Sequence, residues 1–356
     1  MQEERIIIMD NKIYFIDMEF PKLFGGVGKF VATSKARNDV TDILKSYGHV
    51  VRVPIVRNNS GKILGPLEFI VKLFFALRRI PKGSVLFQQY PYFNLKLFVK
   101  VASWFKKYKT ITLVHDLASY RYSDKGTIEQ EIYTLNQFDT VIVHSENMKD
   151  VLIRDGLKCR VLVLGAFDYL LKGPQKIEKE KNAIVFAGGL AKSKFLGELR
   201  KLNRQFINFN LYGKGLPEDI PNEWLRYKGV FNSDDITSIQ GEWGLLWEGD
   251  SIETCSGNFG DYLKIIAPHK LSLYLACGLK VIVWENSAMA ALIKENKVGI
   301  TIKNIGEIED KIKQLSDNDL KEMEGNIAHL SKKVREGGFL RSVLQEAGLS
   351  NSENKI

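Results

Sequence analysis

"FGDYLKIIAPHKLSLYLACGLKVIVW" occupies residues 259–284, and its second half reads as a helix followed by a buried strand. Leu271, Leu273, Tyr274, Leu275 and Cys277 supply the apolar positions, Gly278 stops the run, and LKVIVW is an apolar, β-rich segment. The helix starts after Pro268, with His269 and Lys270 in its first turn. A helix N-terminus carries free N–H groups and a partial positive charge, so a lysine there meets its own sign. An anion held between lysine and backbone removes the conflict, which predicts a diphosphate site at Lys270. A lysine bent back to solvent is the alternative.

Outward from this unit, strands and helices alternate. Strands are expected at 12–17, 50–56, 84–89, 109–116, 139–145 and 159–165, then at 183–189, 207–215, 242–247 and 279–284. Short apolar runs separated by helical stretches mean βαβ units and parallel sheets. The polar stretch LLKGPQKIEKEKN, 170–182, has no apolar periodicity and reads as a linker. The expected organisation is therefore an α/β chain of two doubly wound domains, 1–169 and 183–336, with a C-terminal helix, 337–356, able to cross back to the first domain.

The 356 residues are enough for two cores, and 45% apolar with 26% charged is a soluble globular composition. Cys159, Cys255 and Cys277 have neither paired nor metal-like spacing, which points to a reducing cytosol. The start, MQEERIIIMD, does not read as a signal peptide, and LEFIVKLFFALRRI is too short to span a bilayer. The net charge of +9 lies wholly in residues 1–165, with 25 Lys+Arg against 16 Asp+Glu; the remainder is balanced. That asymmetry concerns a partner of the first half.

The loops after the strands carry the candidate chemistry. GGVGK (25–29) follows the first strand; Gly26 and Gly28 either cradle a ligand or make a tight turn, and the dinucleotide fingerprint is incomplete. FAGG (186–189), with Gly188, Gly189 and Lys192, repeats the design in the second half. His115 and Asp116 close a strand, where they can act on a hydroxyl or cap the next segment. WEGDSIETCSGNFGDY (247–262) is too long and polar for a simple connection; its Glu248, Asp250, Glu253 and Asp261 have no ordered metal-ligand spacing, and sugar hydroxyls are the simpler target. Phe231 can stack on a base or fill core. DND (317–319) reads as a helix cap.

Taken together, GLLWEGDSIETCSGNFGDYLKIIAPHKLSLYLACGLKVIVW and VFAGGLAKSKF resemble the bacterial β-1,6-galactofuranosyltransferases of O-antigen and capsule assembly. More distantly the chain is similar to the accessory glucosyltransferases of streptococcal serine-rich adhesins. The resemblance implies the GT-B fold, two Rossmann-like domains facing each other across a cleft, with the donor nucleotide held mainly by the second. It implies a donor site at Lys192, Phe231 and the His269–Tyr274 segment, with His269, Lys270, Leu271, Ser272 and Tyr274, and a contribution from the Gly25–Gly28 loop, with Gly26 and Gly28. Gly188 and Gly189 of the second glycine loop and Asp250 and Thr254 of the polar stretch complete the expected donor pocket. It further implies an inverting, metal-independent transfer from UDP-galactofuranose, or from UDP-glucose, to a saccharide acceptor. Asp116 is the expected base, with Glu19 and His115 in reserve. A non-catalytic nucleotide-sugar-binding subunit is the competing class.

Residues 67–109 hold nine basic residues and one acid, Glu68, among many aromatics. Two helices, 66–80 and 93–107, are expected here: either they are core helices with solvated basic faces, or they rest this face on the anionic inner leaflet and meet a lipid-linked acceptor there. No nucleic-acid motif accompanies the charge. Homo-oligomer formation is left open.

Overall fold

The computed structural model describes residues 13–19, 32–54, 61–91, 101–122, 125–173 and 175–350. Two six-stranded sheets carry them. The first is built from β1 (Ile13–Glu19), β2 (His49–Pro54), β3 (Val85–Tyr90), β4 (Lys109–Val114), β5 (Thr140–Val143) and β6 (Arg160–Val163), in the order β2-β1-β3-β4-β5-β6. The second is built from β7 (Ala183–Gly189), β8 (Asn208–Lys214), β9 (Leu225–Gly229), β10 (Trp243–Leu246), β11 (Lys280–Trp284) and β12 (Gly299–Ile302), in the order β12-β11-β10-β7-β8-β9. Every adjacent pair in both sheets is parallel. Central strands such as VLFQQY and KVIVW are buried along their whole length, because helices cover both faces of each sheet.

Strand order positions the site. Each sheet reverses its winding once, between β1 and β3 in the first and between β7 and β10 in the second. Ligands of such sheets bind beyond the C-terminal strand ends at that point. Those ends in the second sheet are Gly188–Gly189 and the Trp247–Glu248 segment. Two glycines let the strands and helix close up there. A Cβ on Gly213, at φ +143°, would fall 1.8 Å from the Gly188 carbonyl oxygen; one on Gly244 would fall 2.3 Å from Cγ of Tyr274.

Several expectations need revision. β9, LRYKG, was not expected: it is an edge strand with exposed polar side chains, and such strands lack an apolar pattern. The stretch 247–262 is not all loop, since Gly257–Tyr262 is helical. Of the second basic segment, Val101 is helical and Ala102–Lys107 is a 3-10 turn rather than a continuation of the expected helix to 107; residues 92–100 lie outside the described set. The helix before it runs Gly61–Arg78. Ser316 caps the helix Asp317–Arg335 and Asp319 returns the bond, so DND serves as a cap.

The polar stretch 170–182 is strapped down rather than free. Leu170 N donates to Asp39 (3.0 Å), Glu180 pairs with Arg226 and Asn210, and Glu178 bridges Gln240. The C-terminal helix Gly338–Glu346 lies on the first sheet's side. Its Phe339 and Leu340 N–H groups donate to the Asp168 carboxylate, Arg341 reaches Ser46, and its Glu346 carbonyl accepts from Arg160.

Candidate active site

The helix His269–Cys277 begins without any side-chain cap, because Pro268 occupies the capping position. The Lys270 side chain turns toward β7 and β10. Its Nζ lies 2.6 Å from Glu248 Oε1 and 4.2 Å from the centroid of the Phe186 ring. Gly188 leaves room for it, since a Cβ there would sit 3.1 Å from Lys270 Cε. Both partners are nearly buried, at 13% and 10% side-chain exposure. Burial works to raise the Glu248 carboxyl, yet Lys270, with Lys192 and Arg121 behind it, carries it below its ordinary value. Burial also pulls the Lys270 ammonium down, and the adjacent carboxylate opposes that pull.

Three buried polar atoms around this helix start have no hydrogen-bond partner among the described residues: Glu248 Oε2, His269 Nε2 and Ser272 Oγ. Buried groups are normally paired, so three unspent ones together mark a place for a polar ligand. Burial drives the His269 imidazole down to about 3, and the nearby Lys35 adds to this, so the ring is neutral. It stacks on Tyr169 at 5.2 Å. Lys192 stands 4.5 Å from the centroid of Phe259, on the rim. A cationic group, free helix N–H groups, a hydroxyl and a carboxylate oxygen suit a diphosphate ester flanked by hydroxyls.

Across the cleft, Asp116 follows β4. Its Oδ1 accepts from Arg121 Nη2 (2.6 Å) and from Tyr262 OH (2.9 Å), while Oδ2 has no bond to any described residue. Two donors on one oxygen fix the carboxylate and leave the other oxygen to accept a proton. His115 is turned away from this role. Its Nε2 meets Gln89 Oε1 at 2.6 Å, its ring stacks on Phe167 at 5.0 Å, and burial first, then Arg37, holds it far below its ordinary value.

The segment 257–268 brings the two sheets together. Tyr262 OH also accepts from Leu117 N, Ser145 donates to the Ile265 carbonyl, Asn147 to the Lys264 carbonyl, and Ala267 N to His144 Nδ1. His144 is kept neutral, at about 4, by burial.

The other expected residues divide. Leu271 is fully buried core. Tyr274 is equally buried, its hydroxyl accepting from Ala187 N and donating to the Leu245 carbonyl, so it ties β7 to β10 and has nothing left for a ligand. Asp250 pairs with Lys194 at 3.3 Å on the surface, and Thr254 is exposed nearby. Phe231 is half-buried, edge-on to Tyr212. Glu19 ends β1, its side chain outside the described residues, as are Gly26 and Gly28 altogether. Sequence reasoning missed Arg121, Tyr262 and Phe259 as site residues. None sits in a motif of its own; the length and polarity of 247–262 was the available signal.

Comparison with known proteins agrees with this fold. The N-terminal domain of the glucosyltransferase 3-like family matches residues 23–166 and its C-terminal domain matches 184–347. Between them they span all but residues 1–22, 167–183 and 348–356. The chain is 29% identical over 347 residues to the Beta-1,6-galactofuranosyltransferase WbbI of Escherichia coli (strain K12), covering 94% of this chain and 98% of that protein. It is 25% identical over 323 residues to Glucosyltransferase 3 of Streptococcus parasanguinis, covering 87% and 92%. The solved sucrose-phosphate synthase of Thermosynechococcus elongatus superimposes with a TM-score of 0.61 at 11% identity over 95% of this chain and 98% of that one, a likeness of fold. The two facing sheets are the GT-B fold.

Proposed function

The chain belongs to the glucosyltransferase 3-like glycosyltransferases, and we propose that it moves galactofuranose from UDP-galactofuranose onto a saccharide acceptor, with inversion, in bacterial surface polysaccharide synthesis. The observation that carries the donor reading is the Lys270–Glu248 pair at an uncapped helix start, with Glu248 Oε2, His269 Nε2 and Ser272 Oγ unspent around it. Lys270, Lys192 and the helix N–H groups face the diphosphate, and Glu248 Oε2 accepts a donor hydroxyl. The acceptor oxygen attacks the anomeric carbon, the bond from that carbon to the β-phosphate oxygen breaks, UDP leaves, and Asp116 Oδ2 takes the acceptor's proton. Lysines and a helix dipole carry the leaving charge, so the proposed reaction needs no divalent cation.

The donor sugar rests on the similarity to the galactofuranosyltransferase; the similarity to Glucosyltransferase 3 makes UDP-glucose the second reading. A panel of UDP-sugars, incubated with the purified chain in EDTA, decides. UDP-galactofuranose is expected to be consumed fastest and to give a β-linked product. Fastest turnover of UDP-glucose reassigns the donor, loss of turnover on chelation overturns the metal-free mechanism, and UDP binding without turnover makes the chain a non-catalytic partner.

The acceptor side is proposed to rest on an anionic membrane surface. On the helix Gly61–Arg78, Val71, Phe74 and Phe75 are exposed, Phe75 at 57%, and Phe74 packs edge-on to Trp104. Arg78, Arg79, Lys82, Lys106, Lys107 and Lys109 are exposed in the segments bearing these aromatics. Aromatics with a basic rim suit an anionic leaflet, where each cation contributes about 1 kcal/mol. No described helix is long and apolar enough to cross a membrane. The chain is expected to co-sediment with vesicles containing phosphatidylglycerol, to be released at high salt, and to lose most binding as Phe74→Ser/Phe75→Ser. Equal recovery on neutral vesicles rejects the surface.

A further inference from the structure

Arg121 has donors to spare. Its Nη2 binds Asp116, its Nε is buried without a hydrogen-bond partner, and no described residue bonds Nη1. A guanidinium has five N–H donors in a planar fork suited to phosphate oxygens. Its carbon lies 5.5 Å from the centroid of Phe259 and 5.0 Å from that of Tyr262. Lys192 Nζ lies 4.5 Å from the same Phe259 centroid, so the two cationic groups are within about 10 Å of one another, one from each half of the protein. Arg121 is ion-paired with Asp116 and Glu248 with Lys270, while Lys192, exposed at the rim, has no ion-pair partner among the described residues, so the cations gathered here outnumber the carboxylates.

Resting on the donor reading above, we propose that Arg121 is the first half's ligand to the donor's β-phosphate, bridging it to the base Asp116. The base and the β-phosphate both flank the anomeric carbon, the base through the acceptor oxygen and the phosphate through the departing one. A guanidinium that keeps one Nη2 hydrogen on Asp116 and presents the adjoining Nη1 hydrogens to the phosphate spans that separation without releasing the carboxylate. The α-phosphate is left to Lys270 and the helix N–H groups of the second half. Charge leaving with UDP is thus met by a group that also holds the base, so the site is complete only when the two halves are together.

Calorimetric titration of the full chain with UDP and with UMP tests this. Arg121→Gln is expected to weaken UDP at least tenfold and UMP less than twofold, with the thermal midpoint unchanged. If UDP binds the variant as it binds the wild type, or if both nucleotides weaken equally, the assignment to Arg121 is wrong while the donor site stands. A wild-type chain that ignores UDP removes the donor reading and this proposal with it. Should Arg121→Gln not fold, Arg121→Lys answers instead: an ammonium keeps the charge and loses the fork, so the preference for UDP over UMP should fall, and an unchanged preference overturns the proposal.

Discussion

The Asp116→Asn protein is expected to bind UDP as the wild type does and to transfer sugar about a hundred to ten thousand times more slowly, the usual contribution of a positioned general base. The substitution is nearly isosteric. An asparagine oxygen can still accept from Arg121 and Tyr262, which now both bond Oδ1 at 2.6 and 2.9 Å, so the hydrogen bonds joining the two halves here should survive. What disappears is the second carboxylate oxygen, the one without a bond to any described residue. Initial rates with saturating donor and acceptor, set beside calorimetry with UDP, make the separation. Turnover near the wild-type rate would take the proton-accepting role from Asp116, and a parallel fall in UDP affinity would make it a structural residue.

The second large effect concerns Lys270 and carries a complication that the sequence did not reveal. Lys270→Ala should weaken UDP by about 1.5–3 kcal/mol, the size of a charge-assisted contact. It also strands Glu248, which is buried and paired with Lys270 at 2.6 Å. Removing one partner of such a pair costs about 3–5 kcal/mol of stability, so a single variant confuses binding with folding. The paired change Lys270→Met/Glu248→Gln removes both charges and should unfold near the wild-type temperature while still failing to hold UDP. A stable double variant with undiminished UDP affinity would remove the pair from the donor site. A double variant as unstable as Lys270→Ala would mean that the pair's role at this helix start is chiefly architectural.

The readings that survive best depended on neighbours within a few residues. The helix 269–277 needs only an apolar face and a stop, and Gly278 provides the stop at φ +70°. The strand 280–284 needs only an unbroken apolar run. The glycines at 188 and 189 follow directly from a strand, and their place at the C-terminal end of β7 is a consequence of that order. Lys270 could be singled out from local electrostatics alone, as a cation at the electropositive end of a helix. Even the cap at Ser316 is a matter of four consecutive residues.

Tertiary structure decided everything that joins distant segments. The second sheet follows the order 3-2-1-4-5-6 counted from its own first strand, whereas the first runs 2-1-3-4-5-6, and no local pattern distinguishes them. Glu248 and Lys270 meet because β10 lies beside β7 and the following helix packs across both. Tyr262 reaches Asp116 over 146 residues of chain, and Arg121 reaches Phe259, because the two halves close on one another. Packing within the second half turns Tyr274, by sequence a plausible ligand contact, into a buried tie, and makes an edge strand of LRYKG, which has no apolar pattern to announce it. Backbone preference and hydrophobic period act over a handful of residues, so they specify elements. Hydrogen bonds and ion pairs across the cleft depend on which elements become neighbours, and that follows from burying all the apolar faces of both sheets together.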